Sequence, residues 1–232
     1  MKKNYSFSGN LTNQETIGGF CYMAFQFLLL GDLLGWINGY LQNPLNTAEL
    51  NFTFYLVNFI AVLLIFNDFL SKALHHAVRH LAILCQAVIL GLAAYYASVY
   101  VLDWAISLLV PSFSNYNDQA ITNMVSGNFF LMAVGTVVLV PLTEESLFRG
   151  LIFRNLYGKS RWAAYLISMA AFSFIHLLGH FSAYSPLGLL LAFFQYLPAG
   201  LCLAWSYAKS DTVFAPMVIH AVINAIAIYA MR

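Results

Sequence analysis

Charge is what this sequence has least of. Only 8% of its residues are Asp, Glu, Lys or Arg, against 61% that are hydrophobic, whereas soluble domains carry roughly 25% charged residues. That balance excludes an ordinary soluble domain and points to an integral membrane protein. The net charge is +1, so no basic field favours nucleic acid, and no solvated acidic or basic tail is present. Cysteine is sparse as well. Cys21, Cys85 and Cys202 lie in apolar runs without metal-type spacing, so they read as small buried hydrophobes and imply no disulfide framework. The N-terminal stretch MKKNYSFSGNLTNQETIGG has no short apolar core followed by a small-residue cleavage site, which argues against a removed signal peptide. Internal repeats and low-complexity segments are also missing, so residues 1–232 are expected to form a single transmembrane domain.

What is abundant is long apolar sequence. Crossing a hydrocarbon core about 30 Å thick takes about 20 apolar residues, and about seven stretches qualify. They run approximately over 17–37, 54–70, 81–110, 127–154, 162–178, 186–207 and 212–231. The expected architecture is an all-α polytopic helix bundle. The third stretch is long enough to tilt, to end in an interfacial segment anchored by Tyr95, Tyr96, Tyr100 and Trp104, or to conceal an eighth span. The links SKALHHAVRH and 111–124 read as polar connections. With a cytoplasmic N-terminus, every Lys and Arg except Arg232 falls on cytoplasmic links or the helix ends leading to them, and the outer loops carry none. This asymmetry is the positive-inside pattern.

Against that background the run PLTEESLFRGLIFR, residues 141–154, is anomalous. An ionisable residue inside a span is costly and calls for a polar partner. Candidate partners are His176 on the fifth span and His220 and Asn224 on the seventh. Glu144 lies sixteen residues before Ser160, the turn of the hairpin formed by spans four and five, and His176 sixteen after it. Both are therefore about 24 Å from the turn and face each other. His220 and Asn224, four apart, share a helix face. Arg149, four after Glu145, pairs with it and leaves Glu144 rotated roughly 100° away. Pro141 removes a backbone donor and frees a carbonyl that needs a polar neighbour; Pro198 and Pro216 are expected to act likewise. Gly150 and Gly200 permit close helix approach. A wet cavity between spans four, five and seven follows.

A carboxylate and an imidazole at equal depth can hold a water and take its proton, while a His and Asn can stabilise the oxyanion that forms as water attacks a peptide carbonyl. Together they describe peptide hydrolysis without a covalent intermediate. Ser146 lacks the G-x-S-x-G setting of a nucleophile.

At these residues the chain resembles the CAAX protease and bacteriocin-processing (CPBP) intramembrane proteases. The resemblance rests on E-E-x-x-x-R at Glu144, Glu145 and Arg149, F-x-x-x-H at Phe172 and His176, and H-x-x-x-N at His220 and Asn224, within residues 137–229. It implies Glu144 as the base on water with His176, His220 and Asn224 at the oxyanion, and Glu145, Arg149 and Phe172 in support. It also implies a membrane-associated peptide or protein substrate, with bacteriocin immunity, peptide processing or protein maturation as roles. The small size is similar to bacterial members, hence a bacterial plasma membrane. No cofactor is favoured. Zinc on Glu144, His176 and His220 is the alternative, since two imidazoles and a carboxylate leave an open coordination position, although H-E-x-x-H is absent.

Other readings compete. Buried Glu and His can form a proton relay in a transporter, although the matched broken helices of that class are not evident. A non-catalytic immunity or scaffold protein would keep the same polar residues as interhelical glue. His180 reads as an interfacial histidine, and His75, His76 and His80, with Lys72 and Arg79, as a headgroup-facing link. Asp32 and Asp68 are candidates for lining a cavity and carry no assigned chemistry. No feature of the sequence fixes an oligomeric state.

Overall fold

The computed structural model describes Phe7 and residues 9–232; Lys2 and Lys3, used above for orientation, lie outside them. Nine helices follow in order among the described residues: α1 (Asn13–Asn38), α2 (Thr47–Ile65), α3 (Asn67–Arg79), α4 (Leu81–Leu109), α5 (Tyr116–Gly127), α6 (Phe129–Tyr157), α7 (Arg161–Ile175), α8 (Pro186–Ser210) and α9 (Phe214–Ala230). Helices α1, α2, α4, α6 and α8 are long and apolar enough to cross a membrane, and α7 and α9 are shorter apolar helices. This is the expected polytopic helical bundle.

The structure redraws several boundaries. The second span starts at Thr47 and stops at Ile65, because Phe66 leaves helical geometry at φ −105°, ψ 26°. The supposed polar link is instead the amphipathic helix α3. It buries Phe69, Leu70, Ala73 and Ala77 and exposes Lys72, His75 and Arg79, as an interfacial helix does. One acid organises both ends of this corner. Glu15 closes a capping box with Thr12 at the start of α1 and accepts the backbone N–H of Phe69 at 2.7 Å in the first turn of α3, supplying donors that helix starts leave unpaired. The third segment is one uninterrupted helix, so it hides no eighth span. Residues 111–124 are not a loop throughout, since α5 occupies most of them. Cys21 and Cys85 are exposed and only Cys202 is buried by protein; the first two lie on apolar surfaces of spans α1 and α4, where lipid provides the cover.

The two ends of the bundle are tied separately. At one, Thr212 Oγ1 donates to the Ala73 carbonyl and Arg154 to Asn10; at the other, Asn115 bonds Gln195 and Asn117 bonds Tyr196. Between them the core is aromatic and aliphatic, with Phe66, Phe69, Phe148, Phe153, Phe172 and Leu203 all at most 2% exposed. Close packing depends on glycines, Gly150 and Gly200 among them. A Cβ on Gly200 would sit 3.0 Å from the Met169 Cα, and one on Gly150 2.8 Å from the Phe69 ring.

Candidate active site

Helix α6 carries the two glutamates, and its winding explains how. Gly135–Leu139 and Ser146–Phe153 are π-helical, flanking the α-helical turn Val140–Glu145. In the first π segment the Val140 N–H reaches back to the Gly135 carbonyl, so the next carbonyl, Thr136, would be paired with the N–H of residue 141. That residue is Pro141, which has none. The freed Thr136 carbonyl accepts instead from Asn224 Nδ2 of α9 at 2.7 Å. The carbonyl released by Pro141 thus fixes one of the site residues. Pro216, by contrast, is the third residue of α9, where a helix has unpaired donors in any case, so it does not break the ladder as expected. Pro198 does lie within its helix.

Glu145 and Arg149 are both fully buried. Arg149 Nη1 donates to Glu145 Oε1 at 3.1 Å, its Nη2 donates to the Gly200 carbonyl at 3.1 Å, and its guanidinium lies 4.4 Å over the Phe172 ring. The expected pair is present. It has a third member that spacing did not reveal, because His220 Nδ1 lies 2.8 Å from the same Glu145 oxygen. A carboxylate only accepts, so His220 Nδ1 carries a proton and Nε2 is its other face.

Helix α7 ends at Ile175, and His176 is its C-terminal cap, not a mid-span residue. At about 23 Å, fifteen residues fall short of the bilayer core, and a helix end at that depth is tolerated where it borders a cavity. His176 Nδ1 bonds the Phe172 carbonyl at 2.8 Å, satisfying one of the acceptors a helix end leaves free. Its ring stacks on Tyr196 at 4.2 Å and 22°, and the Phe172 ring sits 4.8 Å from His176 and 5.7 Å from His220. Phe172 therefore packs between both imidazoles and Arg149.

Glu144, His176, His220 and Asn224 all line one cavity of about 720 Å³. Glu144 Oε2 is buried without a hydrogen-bond partner. Among the described residues no three His, Cys, Asp or Glu side chains are gathered as metal ligands, so the zinc trio Glu144, His176 and His220 does not form a ligand set in this arrangement. Residues that motif reading passed over complete the walls: Gln26, Tyr55, Tyr95, Asp103, Asn115, Asp118 and Tyr196, with Asp32 and His180 also on the lining. Asp68 is exposed at the start of α3, away from that lining. The missed residues share no one sequence signal, since Gln26 and Tyr95 are mid-helix whereas Asn115 caps α5 and Asp118 lies in its first turn.

Residues 126–226 match the family model described as type II CAAX prenyl endopeptidase Rce1-like. This segment matches the CAAX protease family. The matched segment begins at the end of α5 and runs into α9, and it contains all three motifs. No curated protein and no solved structure gives a significant match. The match supports a membrane-embedded endopeptidase of the CAAX type at the level of class. The walls supplied by α1, α2 and α4 lie outside the matched segment.

Proposed function

We propose that this chain hydrolyses a peptide bond of a membrane-associated protein or peptide, with Glu144 and His176 activating the attacking water. The observation that carries the reading is the convergence of Glu144, His176, His220 and Asn224 from three helices on one cavity, with a Glu144 oxygen buried and unpartnered. Because His176 Nδ1 donates to a carbonyl, its Nε2 is a lone-pair acceptor. Glu144 and this nitrogen can orient a water between them. As water attacks the carbonyl carbon, its proton passes to Glu144, and the C–N bond then breaks as that proton is delivered to the leaving amine.

Asn224 keeps one N–H for an oxyanion after giving the other to Thr136. His220 donates from Nε2 only as an imidazolium, whose charge the Glu145 carboxylate at 2.8 Å would balance. Arg149 and Phe172 hold that arrangement in place. The cavity reaches the end of the bundle where Asn115 meets Gln195, opposite the end bearing Arg79, Lys159 and Lys209. By the positive-inside rule the cationic end is cytoplasmic, and substrate enters from the extracytoplasmic half of a plasma membrane. The role that suits this entry is processing of an exported or surface-anchored peptide. Comparing cleavage of membrane peptides by wild type and Glu144→Gln in reconstituted bilayers tests the reading; full cleavage by folded Glu144→Gln would remove Glu144 as the base.

A further inference from the structure

The cavity walls are rich in acceptors and, among the described residues, carry neither Lys nor Arg. Four carboxylates line the cavity, Asp32, Asp103, Asp118 and Glu144. Arg149, the cation closest in sequence to the glutamates, is fully buried and engaged with Glu145 and the Gly200 carbonyl. Two of the four acids are partly satisfied: Asp103 accepts from Gln195 Nε2 and Asp118 from the Tyr196 hydroxyl. Asp32 has no ion pair among the described residues.

A second observation is independent of the acids. Gln26 is only 7% exposed, lines the same cavity, and its Oε1 has no hydrogen-bond partner. A buried amide oxygen left unpaired is costly, and the group that satisfies it must be a donor. Phe27, Leu28 and Phe54 line the cavity beside it, a surface suited to an aliphatic stem whose charged tip reaches acceptors.

Resting on the endopeptidase reading, we infer that the cavity selects a peptide segment bearing a Lys or Arg side chain next to the scissile bond. Gln26 and Asp32 receive its N–H donors, and Asp103 of α4 lines the same cavity. A substrate recognised by a free C-terminal carboxylate finds no Lys or Arg among the described residues of this lining. Specificity therefore resides in α1 and α4, outside the segment that carries the catalytic motifs.

The test uses the full-length protein in nanodiscs with matched peptides carrying Lys, norleucine or Glu at positions flanking the cleaved bond. The Lys peptide should exceed norleucine by about fivefold in kcat/KM, a size suited to a partly exposed charge pair, with Glu the poorest. Asp32→Asn should abolish the preference mainly through KM, and Asp32→Lys should reverse it in favour of Glu. Equal cleavage of all three peptides, or a preference unchanged in Asp32→Asn, overturns the inference while leaving the endopeptidase reading intact. If no peptide is cleaved, that reading fails. Binding of the same peptides to Glu144→Gln, followed by fluorescence anisotropy, then decides the charge preference separately: Lys-selective binding lost in Asp32→Asn supports it, and charge-blind binding overturns it.

Discussion

Removing Arg149 while keeping its bulk should be among the most damaging single changes outside the cavity itself. In Arg149→Met the Glu145 carboxylate, fully buried, loses the 3.1 Å guanidinium partner and retains only His220. The Gly200 carbonyl loses its 3.1 Å donor and the Phe172 ring its cation at 4.4 Å. Breaking one side of a buried pair costs about 3–5 kcal/mol, chiefly through the stranded charge. For a chain of this length that corresponds to a fall in Tm of roughly 10 °C. Glu145→Gln in the same background removes the stranded charge, so the double variant Glu145→Gln/Arg149→Met should recover more than half of that loss. Thermal unfolding of all four proteins in one detergent closes the cycle. Activity should not return with stability, because His220 then lacks its carboxylate. An Arg149→Met variant within about 1 kcal/mol of wild type, or a double variant no more stable than the single, would refute the claim that a buried charge cluster organises this site.

Glu144→Gln should lower the rate of peptide hydrolysis by about 10²–10⁴ with unchanged unfolding, as measured by single-turnover cleavage in nanodiscs. Phe172→Leu, which leaves both histidines but removes the ring between them, should reduce kcat about tenfold with little change in KM. Gly200→Ala places a methyl 3.0 Å from the Met169 backbone and should cost about 1–3 kcal/mol, visible as a lower unfolding temperature. In intact cells or right-side-out vesicles, Asn123→Cys on α5 should react with an impermeant maleimide, while Lys159→Cys should react only after permeabilisation; the reverse pattern would place the cavity mouth on the cytoplasmic side.

The helical spans and the three motifs were legible because their signals are local. An apolar run long enough to cross a bilayer, a carboxylate four residues before an arginine, and a His four before an Asn each need only a few neighbouring residues to be noticed. The i,i+4 pairing of Glu145 with Arg149 is present, and Glu144 and His176 do line the same cavity. The bond from His220 to Glu145 joins residues 75 positions apart, and no spacing rule reaches that far. Local patterns misled at Pro216, which looks like a helix breaker until the start of α9 is known, and at SKALHHAVRH, whose charges conceal an amphipathic helix. The exposure of Cys21 and Cys85 was equally hidden, because an apolar run does not say whether protein or lipid covers a given side chain.

By itself, the sequence determined that this chain lives in a membrane, is helical, and carries a Glu/His/Asn constellation in an order that matches the CAAX proteases. Those properties follow from composition and short-range spacing. Only the tertiary structure decided that α6 winds in a π register just before Pro141 so that Asn224 can take the Thr136 carbonyl, that Glu145 is shared between Arg149 and His220, and that α1, α4 and α5 bring acidic side chains to the cavity the motifs line. Each depends on which polar groups remain unpaired once the helices pack. In a medium without water those groups must find one another across the bundle.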